Sequence, residues 1–404
     1  MDEYISKIRS GDLKLYALEK SLPADDAVSL RRKYIEEETG TDLSAVGTYT
    51  IPIDRVVTRN IENMIGCVQI PLGVAGPLAV KGEYANGSFW LPLATTEGAL
   101  VASINRGCSA ITKAGGTEVR ILRDGMTRAP IFAAKSVAHA AEVARWAEDN
   151  LLLLKVAAEE TTNHGELIGL TTYTAGTSVF IRFEFDTKDA MGMNMATIAS
   201  EAAAHLIEEE TKAKLIAVSG NMCCDKKPSA INIIEGRGKT VSAGVFLSDE
   251  LVSTVFKTNS ATLAEVNTRK NLTGSARAAS LGFNAQAANV IAAMFIACGQ
   301  DPAHVVEGSN TITTVDLVEG GIYVSVTLPS LQVGTVGGGT SIATQNACLS
   351  MLGVAGGAEN PGDNAKAFAE IVASGVLAGE LSLLGALGAQ HLGKAHKELG
   401  RGEK

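Results

Sequence analysis

The chain has 404 residues, room for two or three cores at roughly 150 residues each, so a small disulfide-stapled module is excluded. With 46% hydrophobic and 20% charged residues and only 10 prolines, it reads as compact and globular, not disordered. The formal charge of −9, from 35 basic against 44 acidic side chains, offers no broad positive field for nucleic acid or an anionic membrane, so an anionic ligand must be held by a local cluster.

In chain order, residues 1–48 carry dense charge with apolar residues at helical spacing (Leu13, Leu15, Leu18, Leu22, then Val28, Leu30, Tyr34) and predict a short helical N-terminal segment. The start, MDEYISKIRS, is charged from its second residue and has no apolar h-region, and no run approaches about 18 uninterrupted apolar residues; neither secretion nor a membrane span is expected. From about residue 49 glycine and apolar residues take over, in ENMIGCVQIPLGVAGPL and in the small-residue run TTEGALVASINRGCSAI, where Thr95 or Thr96 is expected to open a helix and backbones to pack closely. Between about 130 and 217 the pattern becomes helix (138–154), alternating strand (179–185) and second helix (194–215), an α+β unit set into a larger domain. Then come GNMCCDKKPSAINIIEGRGK, a helix at 284–298 closed by Gly299, a strand at 322–328, the turn GTVGGGT and a long helix at 365–395. The six cysteines form no CxxC pair, and four lie among apolar or small neighbours, as reduced thiols in a cytoplasm do.

The commonest cofactor signatures fail letter by letter. Gly238-Lys239-Thr240 ends like a P-loop, but Ile233 stands where its first glycine is needed. No GxG pair extends to GxGxxG, and His391 and His396 are five apart, about 140° around a helix, unlike a zinc-binding pair; no metal is expected. What remains is Asp225-Lys226-Lys227: two lysines in a turn are usually solvated, but in this apolar setting a poorly hydrated ammonium is a candidate partner for a developing oxyanion. Glu97 in TTEG is either a first-turn helix stabiliser or an acid, Asp301 after GQ a turn former, and His396 a proton donor near neutral pH or an exposed terminal histidine. The segments 189–194 and 334–340 are tight turns or, with Asn194 opening a helix, backbone approaches to a pyrophosphate.

These motifs together (ENMIGCVQIPLGVAGPL, TTEGALVASINRGC, DAMGMN, DKKPSAINIIEGRGK, GQD, GTVGGGT and LGKAH) make the chain resemble the hydroxymethylglutaryl-CoA reductases, from about residue 53 to 401, with the class I branch and its anchor-free archaeal members the nearer likeness. The resemblance implies an α+β fold with a helical segment at 1–48, a large helix-rich substrate domain from 49–129 and 218–404, and a smaller ferredoxin-like cofactor domain inserted at 130–217. It implies reduction of hydroxymethylglutaryl-CoA to mevalonate and CoA by two reduced nicotinamides in a cytoplasmic homodimer whose active sites lie at the subunit interface. Glu97, Lys226, Asp301 and His396 match the catalytic residues, with Asp301 between Glu97 and Lys226; Arg128, Ser219, Asp225 and Lys227 match substrate contacts. Cofactor contacts match Asn163, Asp189, Met191, Gly192, Met193, Asn194, Gly334, Thr335, Val336, Gly337, Gly338, Gly339 and Arg401. Asn163 stands where class I relatives usually carry an arginine, and Glu166 adds negative charge; NADPH is expected, with NADH kept open. The alternatives are another acyl-CoA reductase and a catalytically silent CoA-binding homologue.

Overall fold

The computed structural model describes residues 2–162 and 164–390. Among the described residues ten strands form one branched sheet: β1 (Leu72–Lys81), β2 (Asn86–Ala94), β3 (Thr117–Arg128), β4 (Ile131–Ala133), β5 (Glu166–Ala175), β6 (Ser178–Asp186), β7 (Lys214–Ala217), β8 (Gly238–Ser248), β9 (Ile312–Val318) and β10 (Gly321–Leu331). Its main path runs β7-β4-β6-β3-β8-β10-β9, with the hairpin β1–β2 joined to β3 and with β5 joined to β6. The long strand β3 belongs to both halves. Glu118 to Gly125 pair with β8, and Met126 to Arg128 pair with β6.

Each half has its own apolar core. The smaller gathers Met126, Phe132, Leu154, Phe183, Phe185 and Ile207 among others. Its strands lie in the order β7-β4-β6-β5, all antiparallel, with helices between β4 and β5 and between β6 and β7. That connectivity is the ferredoxin-like split βαβ arrangement. The larger core surrounds the helix Asp363–Gly388, whose 26 residues reach ~39 Å at 1.5 Å per residue. Among the described residues this helix alone has the length and hydropathy of a membrane span, yet 83% of its apolar window is buried against the rest of the protein. It crosses the helix Leu100–Lys113 so closely that a Cβ on Gly107 would lie 1.9 Å from the Ala378 carbonyl oxygen, which explains the small-residue run there. Residues 2–39 form helical elements with a minor core of Ile5, Leu18, Ala27 and Leu30.

The structure alters several expected boundaries. The helix expected at 138–154 is two, Val137–Asp149 and Leu151–Glu159, broken at Asn150, whose amide hydrogen-bonds to the Trp146 carbonyl. The helix expected at 194–215 is Met193–Thr211, stopped by left-handed Lys212 so that Lys214–Ala217 joins the sheet. The helix after TTEG starts at Leu100, behind left-handed Ala99, so Glu97 lies in the loop before it and not in a first turn. Of the six cysteines, all free, Cys108, Cys223, Cys298 and Cys348 are buried.

Candidate active site

The loop after β7 carries Ser219, Asp225, Lys226 and Lys227, and three of its residues, Asn221, Cys224 and Lys226, have left-handed backbones (φ 64°, 42° and 59°). The Lys226 ammonium donates to Asp301 across 2.9 Å, with the lysine side chain 46% exposed, so it is neither immersed in solvent nor sealed away. That hydrogen bond, opposed by partial burial, raises the lysine pKa above its ordinary 10.5 and keeps it cationic. On the carboxyl of Asp301 burial pulls upward, but Lys226 and the Ala303 N–H outweigh it and leave the pKa lowered. Asp301 is also the turn former that its sequence position suggests, accepting from the Ala303 N–H at 3.0 Å.

Asp225 sits against a buried set that sequence reading missed. His304 Nε2 lies 3.0 Å and the Arg237 guanidinium 3.1 Å from its Oδ1. Although burial opposes ionisation, His304 and Arg237 hold the carboxyl far below the usual carboxylate range. Lys227 is exposed and folds its ammonium back onto the Asp225 carbonyl at 3.0 Å. Arg128, at the end of β3, donates to Thr197 at 2.7 and 3.0 Å and lies beside the buried Cys223 thiol, which also meets the Ser219 hydroxyl at 3.4 Å. Burial alone would raise that thiol; Ser219, the Ala129 backbone and the two arginines bring it below its ordinary value. Arg128 and Ser219 thus meet at Cys223, and Asp225, Lys226 and Lys227, with Asp301 on Lys226, follow on the same loop.

Glu97 stands apart. Its carboxylate is exposed, and its side-chain partner is the Asn289 amide at 3.5 Å. Asn289 is near the start of the helix Ala287–Ala297, whereas Asp301 follows that helix's far end, roughly 12 Å further along the axis. Among the described residues no contact within one chain joins Glu97 to Lys226 or Asp301, so the expectation that Asp301 lies between them is not met inside a single chain. The turn before that helix is gripped by buried Glu380, which accepts from the Ala285 and Gln286 N–H groups at 2.8 and 2.6 Å.

The two glycine-bearing segments meet. Ala190 and Val336 form a parallel bridge, and a Cβ on Gly334 would strike the Met191 nitrogen at 2.3 Å. Gly192 (φ 85°) precedes the helix that begins Met193-Asn194, leaving that helix's first N–H groups without intrahelical partners. Beside it, Gly337 and Gly338 (φ 81° and 52°) would carry a Cβ into open space, a surface on which a pyrophosphate has room. Two of the residues expected at the cofactor have side chains engaged within the protein. The buried Asp189 carboxylate accepts from the Ala358, Gly362 and Ala365 N–H groups at 2.9, 3.0 and 3.0 Å, so it braces the start of the long helix and presents no free oxygen. Thr335 is buried too, its hydroxyl donating to the Gly356 carbonyl. Asn163, His396 and Arg401 lie outside the described residues.

The family model for hydroxymethylglutaryl-coenzyme A reductase matches residues 27–401. Among curated relatives, the 3-hydroxy-3-methylglutaryl-coenzyme A reductase of Haloferax volcanii is 56% identical over 395 residues, 98% of both chains, and that of Pyrococcus abyssi 52% over 406 residues, 99% of this chain and 100% of the other. The reductase of Zea mays is 44% identical across this whole chain and 70% of its own. Among solved structures, a class II enzyme from Streptococcus pneumoniae, described as bound to NADPH in open conformations, shares the fold with a TM-score of 0.67 at 18% identity, covering 93% of this chain and 100% of that one. The chain belongs to the hydroxymethylglutaryl-coenzyme A reductase family.

Proposed function

We propose that the chain reduces 3-hydroxy-3-methylglutaryl-CoA to mevalonate and CoA with two reduced nicotinamides, and that Lys226, Asp301, Glu97 and His396 carry the chemistry. The observation that carries this reading is the Lys226 ammonium held at 2.9 Å by Asp301 beside the substrate-binding candidates Asp225 and Ser219. A bound nicotinamide cofactor supplies hydride to the thioester carbonyl and then to the aldehyde. Lys226 answers the oxyanion that forms at each stage, a contact of the kind whose loss costs about 3–4 kcal/mol of barrier. His396 protonates the departing CoA thiolate, and Glu97 supplies the proton to the second oxygen. Arg128 and Lys227 answer the substrate's free carboxylate.

The inserted unit at 130–217 is the cofactor domain in this reading. The open helix start at Gly192–Asn194 and the bare face of Gly337–Gly338 receive the pyrophosphate. The cofactor is NADPH: the negative charge of Glu166, which sequence alone sets against a 2′-phosphate, is answered by Lys188 at 3.1 Å and Lys155 at 3.9 Å.

Two copies build each site, Glu97 and Asn289 coming from one and Lys226 and Asp301 from the other. The separation of these pairs along the helix Ala287–Ala297 supports that arrangement, as does an exposed apolar band of Val68, Leu72, Val74 and Trp90 beside a cleft of about 610 Å³ lined by Tyr49, Ile51 and Ile342. Free, mostly buried thiols suit a reducing cytoplasm. The test is direct: purified protein with the thioester and NADPH oxidises two cofactors per mevalonate formed, and absence of oxidation with either NADPH or NADH rejects the assignment.

A further inference from the structure

Lys226 is held by a single short turn. Asp301 opens that turn and takes the lysine's ammonium. Glu307, three residues after His304 and fully buried, accepts the lysine's own backbone N–H at 2.6 Å. His304, also fully buried, takes the neighbouring Asp225 side chain at 3.0 Å. Arg237 closes the figure from the start of β8, with its guanidinium 3.1 Å from Asp225 and 3.3 Å from Glu307. The ligand atoms of Asp225, His304 and Glu307 lie within 4.8 Å of one another, a grouping that suits a metal, but the guanidinium between two of them already fills a cation's place.

A loop with left-handed backbones at residues 221, 224 and 226 does not keep that shape by local preference; the surroundings must over-determine it. Glu307 is the group that fixes the lysine's main chain, and burial of the Glu307 carboxyl raises its pKa, a liability that a merely space-filling side chain would not carry.

We infer that Glu307 and His304 are positioning residues for the reduction: they hold the Lys226 backbone and the Asp225 carboxylate so that the ammonium stands where the oxyanion forms. This rests on the reading of Lys226 as the oxyanion's partner. A misplacement of about 1 Å at such a centre costs on the order of 10²-fold in rate. The test compares full-length E307M, H304M, E307Q and K226A with the parent chain, measuring kcat and KM on the thioester and on mevaldehyde, the Kd for NADPH, and melting temperature. E307M and H304M are expected to lose ~10- to 100-fold in kcat on both substrates, while NADPH affinity stays within about threefold. E307Q, which keeps an oxygen for the Lys226 N–H, is expected to recover most of that loss. If whichever of E307M and H304M folds keeps kcat within about twofold of the parent, or if E307Q is as impaired as E307M, the inference falls. K226A separates the two levels: undiminished turnover there removes the reading of Lys226, whereas an inactive K226A beside unimpaired E307M and H304M removes only the positioning role.

Discussion

The Lys226 and Glu97 regions are built in opposite ways. Around Lys226, Asp301 takes the side chain, while fully buried Glu307 fixes the main chain and fully buried His304 and Arg237 fix the neighbouring Asp225. Around Glu97 there is an exposed carboxylate with one long contact to Asn289. An oxyanion partner must be placed before the charge appears, because its value lies in preorganisation. In the proposed dimer, Glu97 is a proton donor left open until a second subunit completes its surroundings. On that proposal the contrast assigns rigidity to one chain and assembly to two.

Removing the ammonium tests the rigid half most severely. Lys226→Ala is expected to lower kcat/KM by ~10²- to 10³-fold for thioester and aldehyde alike; a loss confined to one substrate would deny a shared oxyanion role. Co-expression of K226A and E97A chains tests the assembled half. If sites are shared, mixed dimers contain one intact site, and about a quarter of parental activity returns from two inactive parents; none returns if each chain works alone. Next in size, Asp189→Ala strips three backbone N–H groups of their partner and should cost about 3 kcal/mol of stability, read by denaturant titration, with the NADPH Kd of the folded fraction little changed. The smallest effect concerns pH. Lys226 is stabilised as a cation, so the ion pair is present below the ordinary 10.5 and is lost as pH rises through the lysine's higher folded value. Asp301→Asn should therefore bring the alkaline limb of the kcat profile down toward 10.5 and lower kcat by about tenfold; an unmoved limb would remove Asp301 as the group that sets it.

Some of the residues proposed to bear chemistry stand out in sequence because they are neighbours both along the chain and in space. Asp225, Lys226 and Lys227 follow one another, and the glycine segments announce open backbone. The pairing of Lys226 with Asp301 came from the resemblance and is met as a direct contact. What the sequence hid is long-range. His304 is 79 positions from Asp225, and nothing in HVVEG alone marks it as that aspartate's partner. Asp189 stands out in sequence for its glycine-bearing motif; the backbone groups that its carboxylate accepts from, 169 to 176 residues away, leave no imprint on residue type. Strands β1 and β8 escaped notice for a local reason. In β1 two glycines and Pro77 interrupt the alternation, whereas β8 does alternate, with Val241, Ala243, Val245 and Leu247 buried between the more open Thr240, Ser242, Phe246 and Ser248, and was passed over because the lysine motif before it drew the reading.

The buried helix Asp363–Gly388 has a consequence for biosynthesis. It is the centre of the larger core, and it is made after every other element of that core. The smaller core, whose members run from Met126 to Ala213, is complete in sequence about 150 residues sooner and can close while the ribosome is still working. Until that helix emerges, the apolar faces of the helix Leu100–Lys113 and of the central strands await their cover, so the smaller core can close while the larger one still exposes apolar surface.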